Sequence, residues 1–578
     1  MKSPRIERRP MAVATGDWPD SVHPVLRRVY AARGIAAPVE IEHRLASMLS
    51  PQALGGIERA CDLVENAIRE NVRIVVVGDF DADGASGTAV AVRGLRLLGA
   101  REVGYAVPNR FRHGYGLSPP VVEELLSQNP QLLITVDNGV AAHAGVAAAK
   151  AHGMQVIVTD HHLPGETLPE ADAIVNPNLP GDHFPSKTLA GVGVMFYLLL
   201  ALRARLRESG WFVQPGAVEP DLAELLDLVA LGTVADLVPL DRNNRILVEA
   251  GLKRIRSGRA CAGVVALIES GRRDPATLVA SDLGFVVAPR INAAGRLEDM
   301  SLGIECLLTD DVARARELAE SLSAINVERR ELQSGMVEQA QAEVHKWTLS
   351  HGTESLPHGL VLFDASWHHG VVGLVASKLK ELLHRPVIAC APAGAGSDEV
   401  KASGRSIAGF HLRDALAEID TRRPGLLRRF GGHAMAAGLS LHRGDVETFA
   451  AAFDEVVRER IAPDALDAIM LTDGELDPGD FSLGLAQQLR YAGPWGQGFP
   501  EPLFDGVFVV ESWRVLGEKH LRFALRRDGV ANALEAVMFN VYTGTPPPAR
   551  LRAVFGLDVN DWNGRQALQL IIRHLEPA

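Results

Sequence analysis

Three short runs of aliphatic and β-branched residues place the strongest constraint on the fold of this chain. They read RIVVVGDF from Arg73, QLLITVDNG from Gln131 and QVIVTDHH from Gln155, and each has the length of a strand. Near-continuous apolar runs of this kind are typical of parallel strands that are buried on both faces. Alanine-rich helical segments separate them, and this alternation predicts βαβ units in an open parallel sheet with helices on both faces.

Each of the three runs ends in acidic residues or histidines, and so does the apolar segment LVALGTVA, which we interpret as a fourth buried strand. The side chains at these ends are Asp79, Asp81, Asp83, Asp137, Asp160, His161, His162 and Asp236. The carboxyl ends of parallel strands meet at one crevice, where carboxylates repel one another unless cations lie between them. Oxygen ligands with imidazole and no thiolate suit Mn²⁺ or Mg²⁺ better than Zn²⁺. Two such ions about 3.5–4 Å apart can activate water and stabilise a leaving oxygen in phosphoester hydrolysis.

Simpler interpretations compete with a metal centre. The sequence DFDADG could open an EF-hand loop, but that loop requires glutamate at its twelfth position, where this chain has Val90. An aspartate after a strand is often a helix N-cap, and for Asp137 alone this alternative stays open. A pair of histidines is often packed or exposed without a function. The joint occurrence of these residues at four segment ends favours the metal centre.

The motifs DFDADG, VDNG, TDHH and VADLVPL resemble those of the DHH phosphoesterase superfamily. In order and content, nearly the whole chain resembles the RecJ family of bacterial single-strand-specific 5′→3′ exonucleases. The later segments APRINAAGRL and SWHHGVVGLVASKL support the resemblance. ASGRS and FGGHAMAAG are similar to the glycine-rich signature of the DHH-associated domain.

The resemblance implies a role for each ligand. One Mn²⁺ (or Mg²⁺) ion would be held by Asp79, Asp81 and Asp137. The second ion would be held by Asp83, Asp137, His161 and Asp236, with Asp137 bridging the two. His162 would lie next to the scissile phosphate, and Asp160 would orient the histidines. The residues by themselves do not divide the ligands between two ions.

Substrate phosphates would be bound by glycine-rich and arginine-containing segments. From the residues, GGHAMAAG predicts exposed backbone N–H groups at the start of a helix, although packed glycines in a tight turn are the alternative. The resemblance implies that Arg405, Ser406, Gly431, Gly432 and His433 face the metal centre. Candidate clamps for a 5′-phosphate are Arg110, Arg290, Asn292 and Arg296. Arginine suits this role because its planar fork binds phosphate through two hydrogen bonds, although a solvated surface arginine is the ordinary alternative.

Changes of pattern along the chain predict five regions. They are an N-terminal adaptor (1–70), a DHH catalytic domain (71–240), a helical connector (241–355), a DHH-associated α/β domain (356–462) and an OB-like β-barrel (463–578). Within the connector, a helix from about Asp310 to Trp347 carries an apolar stripe from Val312 to Leu332. The active site would lie between the two α/β domains in a ring-like or clefted arrangement, where a narrow path excludes duplex DNA. Barrel aromatics such as Trp513, Phe523, Phe539 and Trp562 could stack on bases, but we favour core positions for each.

Charge and composition limit the cellular setting. The net charge is −12, yet residues 251–296 contain eight Lys/Arg against three acids, a local charge of +5. The longest apolar run, Leu189 to Leu202, has 14 residues and is too short to span a bilayer. The four cysteines are far apart in sequence, which favours a reducing compartment. We therefore expect a cytoplasmic monomer that has no membrane contact. The resemblance implies single-stranded DNA as substrate, with a single-strand-binding protein and a RecQ-type helicase as partners.

Two other functions are alternatives to that of an exonuclease in DNA repair and recombination. An oligoribonucleotide or nucleotide phosphatase of the superfamily would need only the two α/β domains, so the barrel and long helix argue against it. A non-catalytic scaffold that binds single strands would not need every metal-ligand position to be kept. The sequence therefore favours the metal-dependent exonuclease that releases mononucleotides.

Overall fold

A computed structural model describes residues 3–11, 17–110, 112–214, 218–351, 356–394, 396–542, 544–562 and 564–578. The chain forms two compact units. The larger unit contains Arg8–Asn326 and Thr472–Ala578, and the smaller contains Met1–Glu7 and Val327–Leu471. Among the described residues, no helix combines the length and apolar character needed to cross a bilayer.

The strands and helices are numbered in chain order. The strands are β1 (Arg5–Arg8), β2 (Ile74–Gly78), β3 (Val103–Ala106), β4 (Leu132–Val136), β5 (Gln155–Thr159), β6 (Ala173–Val175), β7 (Leu360–Phe363), β8 (Val387–Pro392), β9 (Glu399–Arg405), β10 (Arg429–Gly432), β11 (Ala436–His442), β12 (Ile469–Thr472), β13 (Phe504–Leu516), β14 (His520–Arg526), β15 (Leu534–Met538), β16 (Arg550–Trp562) and β17 (Arg565–Pro577). The helices are α1 (Pro24–Ala31), α2 (Ile57–Glu70), α3 (Ala82–Leu97), α4 (Pro119–Leu125), α5 (His143–Ala151), α6 (Gly191–Glu208), α7 (Leu226–Ala235), α8 (Arg242–Arg256), α9 (Ala262–Ser270), α10 (Ala280–Asp282), α11 (Ala288–Leu297), α12 (Ser301–Leu308), α13 (Val312–His351), α14 (Val372–Leu383), α15 (Leu412–Arg422), α16 (Val446–Arg460) and α17 (Leu483–Tyr491).

The predicted parallel sheet is confirmed in the larger unit. Its strand order is β3-β2-β4-β5-β6, and all of the pairings are parallel. Alternate residues of β2 enter different cores. Ile74 and Val76 pack in the core that contains α3 and α6, whereas Val75 and Val77 pack with α4 and α5. Helices therefore cover both faces, which explains why the strands are apolar at every position.

The interpretation of LVALGTVA as a strand is wrong. This segment lies in α7, and Asp236 follows the last helical residue as its C-cap. A short apolar run does not reveal its period, because a fully buried helix is apolar on every side. The residues of α7 from Leu226 to Thr233 are all buried. A buried helix and a buried strand would therefore have the same apolar composition here.

The predicted β-barrel is confirmed as a closed barrel of five strands in the order β13-β14-β15-β17-β16. Phe504, Phe508, Phe523 and Phe555 are buried in it, so the core position that we favoured for Phe523 is confirmed. Trp513 and Phe539 are exposed, so the core position that we favoured for them is wrong, whereas the side chain of Trp562 lies outside the described residues.

The predicted long helix is confirmed as α13, but its apolar stripe is only partly buried. Ala315, Leu318 and Leu322 are buried in the core of the larger unit, whereas Val312 and Leu332 are exposed. Further along the helix, Met336 and Ala340 are buried again. In the N-terminal region, α1 buries Val25, Leu26 and Val29.

In the smaller unit, a mixed sheet has the order β10-β11-β9-β8-β7. The prediction that GGHAMAAG begins a helix is wrong, because Gly431 and Gly432 end β10 and the segment turns directly into β11. Gly432 has a φ of 136°, and a Cβ there would lie 2.4 Å from the carbonyl oxygen of Ala436. These glycines therefore serve a tight hairpin. Most of the other glycine-containing segment, ASGRS, lies within β9.

Candidate metal centre

The DFDADG loop places its first two aspartates at the end of β2. Asp79 directly follows this strand and is buried, and Asp81 is the N-cap of α3. The Oδ1 atom of Asp81 accepts hydrogen bonds from the backbone N–H groups of Asp83 and Gly84, each at 3.0 Å. Gly84 allows a close approach, because a Cβ there would lie 2.5 Å from the carbonyl oxygen of Asp79. The loop therefore folds tightly over the strand end.

Asp137 follows β4 in the left-handed region, with a φ of 62°. Gly191 at the start of α6 lies against it, because a Cβ on this glycine would be 2.5 Å from the Cβ of Asp137. The next residue, Asn138, donates hydrogen bonds to the carbonyl oxygens of Val77 and Val136, both at 3.0 Å. Asn138 thus links the ends of two neighbouring strands and holds the aspartate before it.

Asp83 and Asp236 approach from two helices. Asp83 lies in the first turn of α3 and accepts hydrogen bonds from the backbone N–H groups of Gly191 at 2.8 Å and Val192 at 3.0 Å. Asp236 ends α7, and its Oδ2 atom lies 3.4 Å from Nε2 of His161. The same Nε2 atom lies 3.1 Å from Oδ1 of Asp137.

Asp160 holds both histidines in place. Its Oδ1 atom accepts hydrogen bonds from the backbone N–H groups of His161 at 2.7 Å and His162 at 3.1 Å, and lies 2.8 Å from Nδ1 of His162. Its other oxygen accepts from the N–H of Val140 at 2.8 Å. Burial raises the pKa of Asp160, but the hydrogen bonds from His162 and Val140 and the charges of the two histidines together outweigh it, and the pKa lies below its usual range. Asp160 therefore stays ionised.

The candidate ligand atoms gather into three overlapping groups, each with its atoms within 4.8 Å of one another. The groups are Asp79, Asp81 and Asp137; Asp83, His161 and Asp236; and Asp137, His161 and His162. The Oδ1 atom of Asp79 is buried and has no hydrogen-bond partner among the described residues. Buried polar atoms are normally satisfied, so an acceptor in this position fits a cation that lies beside it. The donor set of oxygens and imidazole fits Mn²⁺ or Mg²⁺.

The pKa shifts of the carboxylates also fit a centre that binds cations. Burial, followed by repulsion from Asp81, raises the pKa of Asp83 to about 7. Burial and neighbouring carboxylates also raise the pKa values of Asp79, Asp137 and Asp236 above their usual range. Burial lowers the pKa of His162, but Asp160 and the other carboxylates outweigh it, and the net change is upward. Such a cluster is stabilised by added positive charge, either from protons or from metal ions.

The arginines and the asparagine expected to bind phosphate have different surroundings. The guanidinium of Arg110 lies 4.0 Å from the ring centroid of Phe80, and Asp79 and Asp81 attract it. Arg290 donates hydrogen bonds to Val286 O at 2.5 Å and to Ser323 Oγ at 2.9 Å, so part of its fork holds helices together.

Asn292 takes part in the metal loop. Its Oδ1 accepts from the N–H of Ala82 at 2.8 Å, which ties α11 to the DFDADG loop. Arg296 lies in the last turn of the same helix and is partly buried.

The candidates in the smaller unit lie around its sheet. Arg405 ends β9 and donates to Ser403 Oγ at 3.0 Å and to Gly404 O at 2.8 Å. Ser406 is buried, and its hydroxyl donates to the carbonyl oxygen of Phe410 at 2.8 Å. Gly431, Gly432 and His433 are exposed on the β10–β11 hairpin.

The sequence analysis did not identify one tyrosine and two asparagines that contact residues of the metal centre. The hydroxyl of Tyr115 donates to the carbonyl oxygen of Asp137 at 3.1 Å and lies 3.4 Å from Nδ1 of His162. Asn176 and Asn178 donate to the carbonyl oxygens of His162 and His161 at 2.9 and 2.6 Å. Tyr115 lies in the segment PNRFRHGYGL, which also contains the candidate phosphate ligand Arg110. The presence of Arg110 could therefore have directed attention to Tyr115. The asparagines follow the short strand β6 and carried no local signal.

Comparison with protein families gives three matches along the chain. The DHH family, N-terminal domain, matches residues 73–233, the DHHA1 domain matches residues 357–459, and the RecJ OB domain matches residues 472–574. The first match contains all of the candidate metal ligands except Asp236.

Curated relatives and solved structures are similar over nearly the whole chain. The single-stranded-DNA-specific exonuclease RecJ of Dickeya dadantii is 52% identical over 99% of both chains. The protein of the same name from Thermus thermophilus is 35% identical over 95% of this chain and 74% of its own length. The crystal structure of RecJ from Thermus thermophilus in complex with Mn²⁺ has a TM-score of 0.80 at 32% identity and covers 99% of this chain and 79% of its own. The corresponding Mg²⁺ complex has a TM-score of 0.74 at 31% identity, and covers 99% of this chain and 78% of its own.

Proposed function

The chain belongs to the RecJ family of single-stranded-DNA-specific exonucleases, and we propose that it hydrolyses the phosphodiester bonds of single-stranded DNA. It works from the 5′ end, releases mononucleotides, and requires two divalent cations, Mn²⁺ or Mg²⁺. The observation that carries this proposal is the gathering of the buried carboxylates and His161 into overlapping groups.

Within this proposal, one ion is held by Asp79, Asp81 and Asp137. The other is held by Asp83, Asp137, His161 and Asp236. Asp137 is the bridging ligand, and its position between the two candidate groups supports this role. When bound, the two ions supply an activated water and stabilise the leaving oxygen of the phosphoester.

His162 has the proton-bearing role. Asp160 accepts the hydrogen on Nδ1, so the Nε2 atom of a protonated His162 carries the second hydrogen and can donate it to a phosphate oxygen. The ionised carboxylate of Asp160, 2.8 Å from Nδ1, favours this protonated form. Tyr115 limits the rotation of the ring, since its hydroxyl lies close to Nδ1 of His162. Asp160 acts through the histidine and is a positioning residue.

The phosphate contacts are assigned to both units. Arg110 is the strongest candidate in the larger unit, because it stacks on Phe80 and the metal-loop carboxylates attract it. Arg290, Asn292 and Arg296 are the further candidates on α11, where Asn292 accepts a hydrogen bond from the metal loop. Arg405, Ser406, Gly431, Gly432 and His433 belong to the proposed substrate-binding domain, with Ser406 fixing the loop after β9.

We also propose the domain limits expected above: 1–70, 71–240, 241–355, 356–462 and 463–578. The cellular role is DNA repair and recombination in the cytoplasm. A single-strand-binding protein and a RecQ-type helicase would supply the single strand, and the enzyme would act as a monomer.

The proposal is tested with single strands labelled at either end, incubated with Mn²⁺, Mg²⁺ or a chelator. We expect a 5′ label to appear first in mononucleotides and a 3′ label to remain on shortened strands. Blunt duplexes and the chelator reaction should show no cleavage. Preferential hydrolysis of short oligoribonucleotides would favour a phosphatase, and binding without hydrolysis in either metal would favour a non-catalytic scaffold.

A further inference from the structure

Two large apolar side chains are exposed where α7 ends beside the metal centre. Leu237 directly follows the candidate ligand Asp236, and 65% of its surface is exposed. Its φ is 60°, a left-handed conformation that is unfavourable for leucine. Phe285 is 81% exposed. Folding alone does not explain these side chains, because neither buries its apolar surface.

The backbone around Phe285 is irregular and is packed against the metal centre. Residues Leu283–Val287 form a π-helical turn between α10 and α11. A Cβ on Gly284 would lie 3.2 Å from Cγ1 of Val234, two residues before Asp236. After the turn, α11 reaches the metal loop through the hydrogen bond between Asn292 and Ala82. Phe285 therefore lies between a contact with α7 and the hydrogen bond that ties α11 to the metal loop.

Positive charge accompanies the exposed aromatic. Arg272 is exposed, has a φ of 56°, and forms no ion pair with any of the described residues. Its neighbour Gly271 lies against Val286, because a Cβ on that glycine would be 2.2 Å from Cγ1 of Val286. The segment 251–296 has eight cationic residues against three acidic ones. An exposed aromatic with unpaired positive charge is the combination that binds single strands, since bases stack while phosphates are neutralised.

We infer that Leu237 and Phe285 form a ledge on which a base of the single strand stacks close to the scissile phosphate, with Arg272 contacting the backbone. This inference rests on the proposed function and adds a positioning contact to it. A stacked base fixes the strand beside the metal centre without selecting a sequence, because every base has an aromatic face. The strained backbone of Leu237 keeps an apolar side chain at the edge of this ledge.

The test measures the first cleavage of 5′-phosphorylated strands that carry one abasic residue at successive positions near the 5′ end. In the wild-type enzyme, the abasic residue that faces the ledge should raise KM by roughly 5- to 150-fold with little change in kcat. On complete strands, Phe285→Ala should raise KM to a similar extent. On the strand whose abasic residue faces the ledge, Phe285→Ala and wild type should have the same KM. Phe285→Trp should behave as wild type, and so should Val213→Ala, which changes another exposed apolar residue.

Two outcomes would overturn the inference. One is equal KM values for Phe285→Ala and wild type on complete strands. The other is a loss for Phe285→Ala that is the same on every abasic strand, which would show that the side chain acts through the fold and not through a stacked base. Equal melting temperatures of the variants separate these outcomes from misfolding. A wild-type enzyme that cleaves no single strand would contradict the proposed function instead.

Discussion

Asp81 shows how one side chain can serve the local fold and the metal centre together. Its carboxylate caps α3 by accepting two backbone N–H groups, which is the ordinary role of an aspartate after a strand. A carboxylate has about four lone-pair sites, so this capping still leaves sites for a cation. The simple interpretation and the functional one are therefore compatible at this residue.

Asp137 is the residue at which the two-ion assignment is most directly tested. Asp137→Asn keeps the shape and suits a φ of 62°, because asparagine tolerates the left-handed region. Cleavage should fall by about a thousandfold or more, since several kcal/mol of transition-state stabilisation depend on the ions. Without metal, the variant should melt at the same or a higher temperature than wild type, because a buried charge with a raised pKa is removed.

The exposed Asp528→Asn variant is the control and should change neither property. Adding Mn²⁺ should raise the melting temperature of wild type and of this control more than that of Asp137→Asn. Wild-type cleavage by Asp137→Asn would remove the bridging role from this residue.

His43 should make the stability of the larger unit depend on pH. Burial, aided by Arg245, Lys253 and Arg242, lowers the pKa of His43 to about 4, whereas an unfolded histidine titrates near 6.5. Between these values the unfolded chain binds the extra proton, so this contribution to stability falls as the pH drops from about 6.5 to 4. His43→Asn should therefore gain in melting temperature relative to wild type when the pH falls from 7 to 5.

The exposed His183→Asn variant is the matched control. Its melting-temperature difference from wild type should be the same at both pH values. A constant difference for His43→Asn as well would show that the folded protein takes up the proton without loss.

At the scale of elements, the position of α11 depends on the absence of a side chain at Gly295. A Cβ there would lie 2.0 Å from the carbonyl oxygen of Phe80, which is backbone and cannot rotate away. Gly295→Ala should displace α11 from the metal loop and destabilise the unit by about 1–3 kcal/mol. We expect at least a tenfold loss of cleavage, measured together with the melting temperature.

Gly303→Ala on the neighbouring α12 is the control for that change. Its Cβ would meet side-chain atoms of Ile291 and Met300 at 3.1 Å, and these can shift. It should have a smaller effect on both properties. Equal effects of the two substitutions would mean that the contact with Phe80 has no special role.

At the scale of the whole molecule, the barrel belongs to the same compact unit as the parallel sheet. The guanidinium of Arg33 is buried and pairs with Asp473 at 2.8 Å, and the hydroxyl of Tyr30 donates to the carbonyl oxygen of Ala492 at 2.9 Å. The N–H of Leu240 donates to the carbonyl oxygen of Gln497 at 2.7 Å. The barrel is therefore not a removable appendage.

A chain that ends at residue 463 should accordingly fold poorly. It would expose apolar core and leave Arg33 without its carboxylate, a type of loss that costs several kcal/mol. We expect low solubility and no cooperative melting transition for the parallel-sheet unit. A soluble truncated protein with a sharp transition would show that the sheet is stable without the barrel.

The contribution of the barrel to DNA binding is better tested with exposed cations. Arg514, Lys519, Arg550 and Arg565 are exposed and form no ion pair among the described residues. For long strands, the logarithm of the binding constant falls linearly with the logarithm of the salt concentration. Changing all four residues to glutamine should make the slope of this line less steep by up to about 3, since each phosphate contact contributes roughly 0.7. Affinity for short oligonucleotides should stay unchanged.

Arg526→Gln is the control, because Arg526 pairs with Glu511 at 2.9 Å and should contribute less. An unchanged slope for the fourfold variant on long strands would assign the barrel surface to protein partners.

The sequence by itself determined the parallel sheet and the list of candidate ligands. Both depend on local signals, namely the composition of buried strands and the polar residues that follow them. The helix α13 was also predictable, because its apolar residues from Val312 to Leu332 recur at helical spacing. The resemblance of the motifs to a known family divided the ligands between two ions, which local signals could not do.

Only the tertiary structure decided the points that depend on contacts distant in sequence. It made α7 a helix, since burial on every side removes the periodicity that separates helix from strand. It turned GGHAMAAG into a hairpin by pairing β10 with β11, and it joined the segment before the barrel to the N-terminal region through Arg33 and Tyr30. It also engaged Arg290 and Ser406 with protein groups. Which partner a buried polar group finds depends on the packing of distant segments, and that information is not present in any local stretch of the chain.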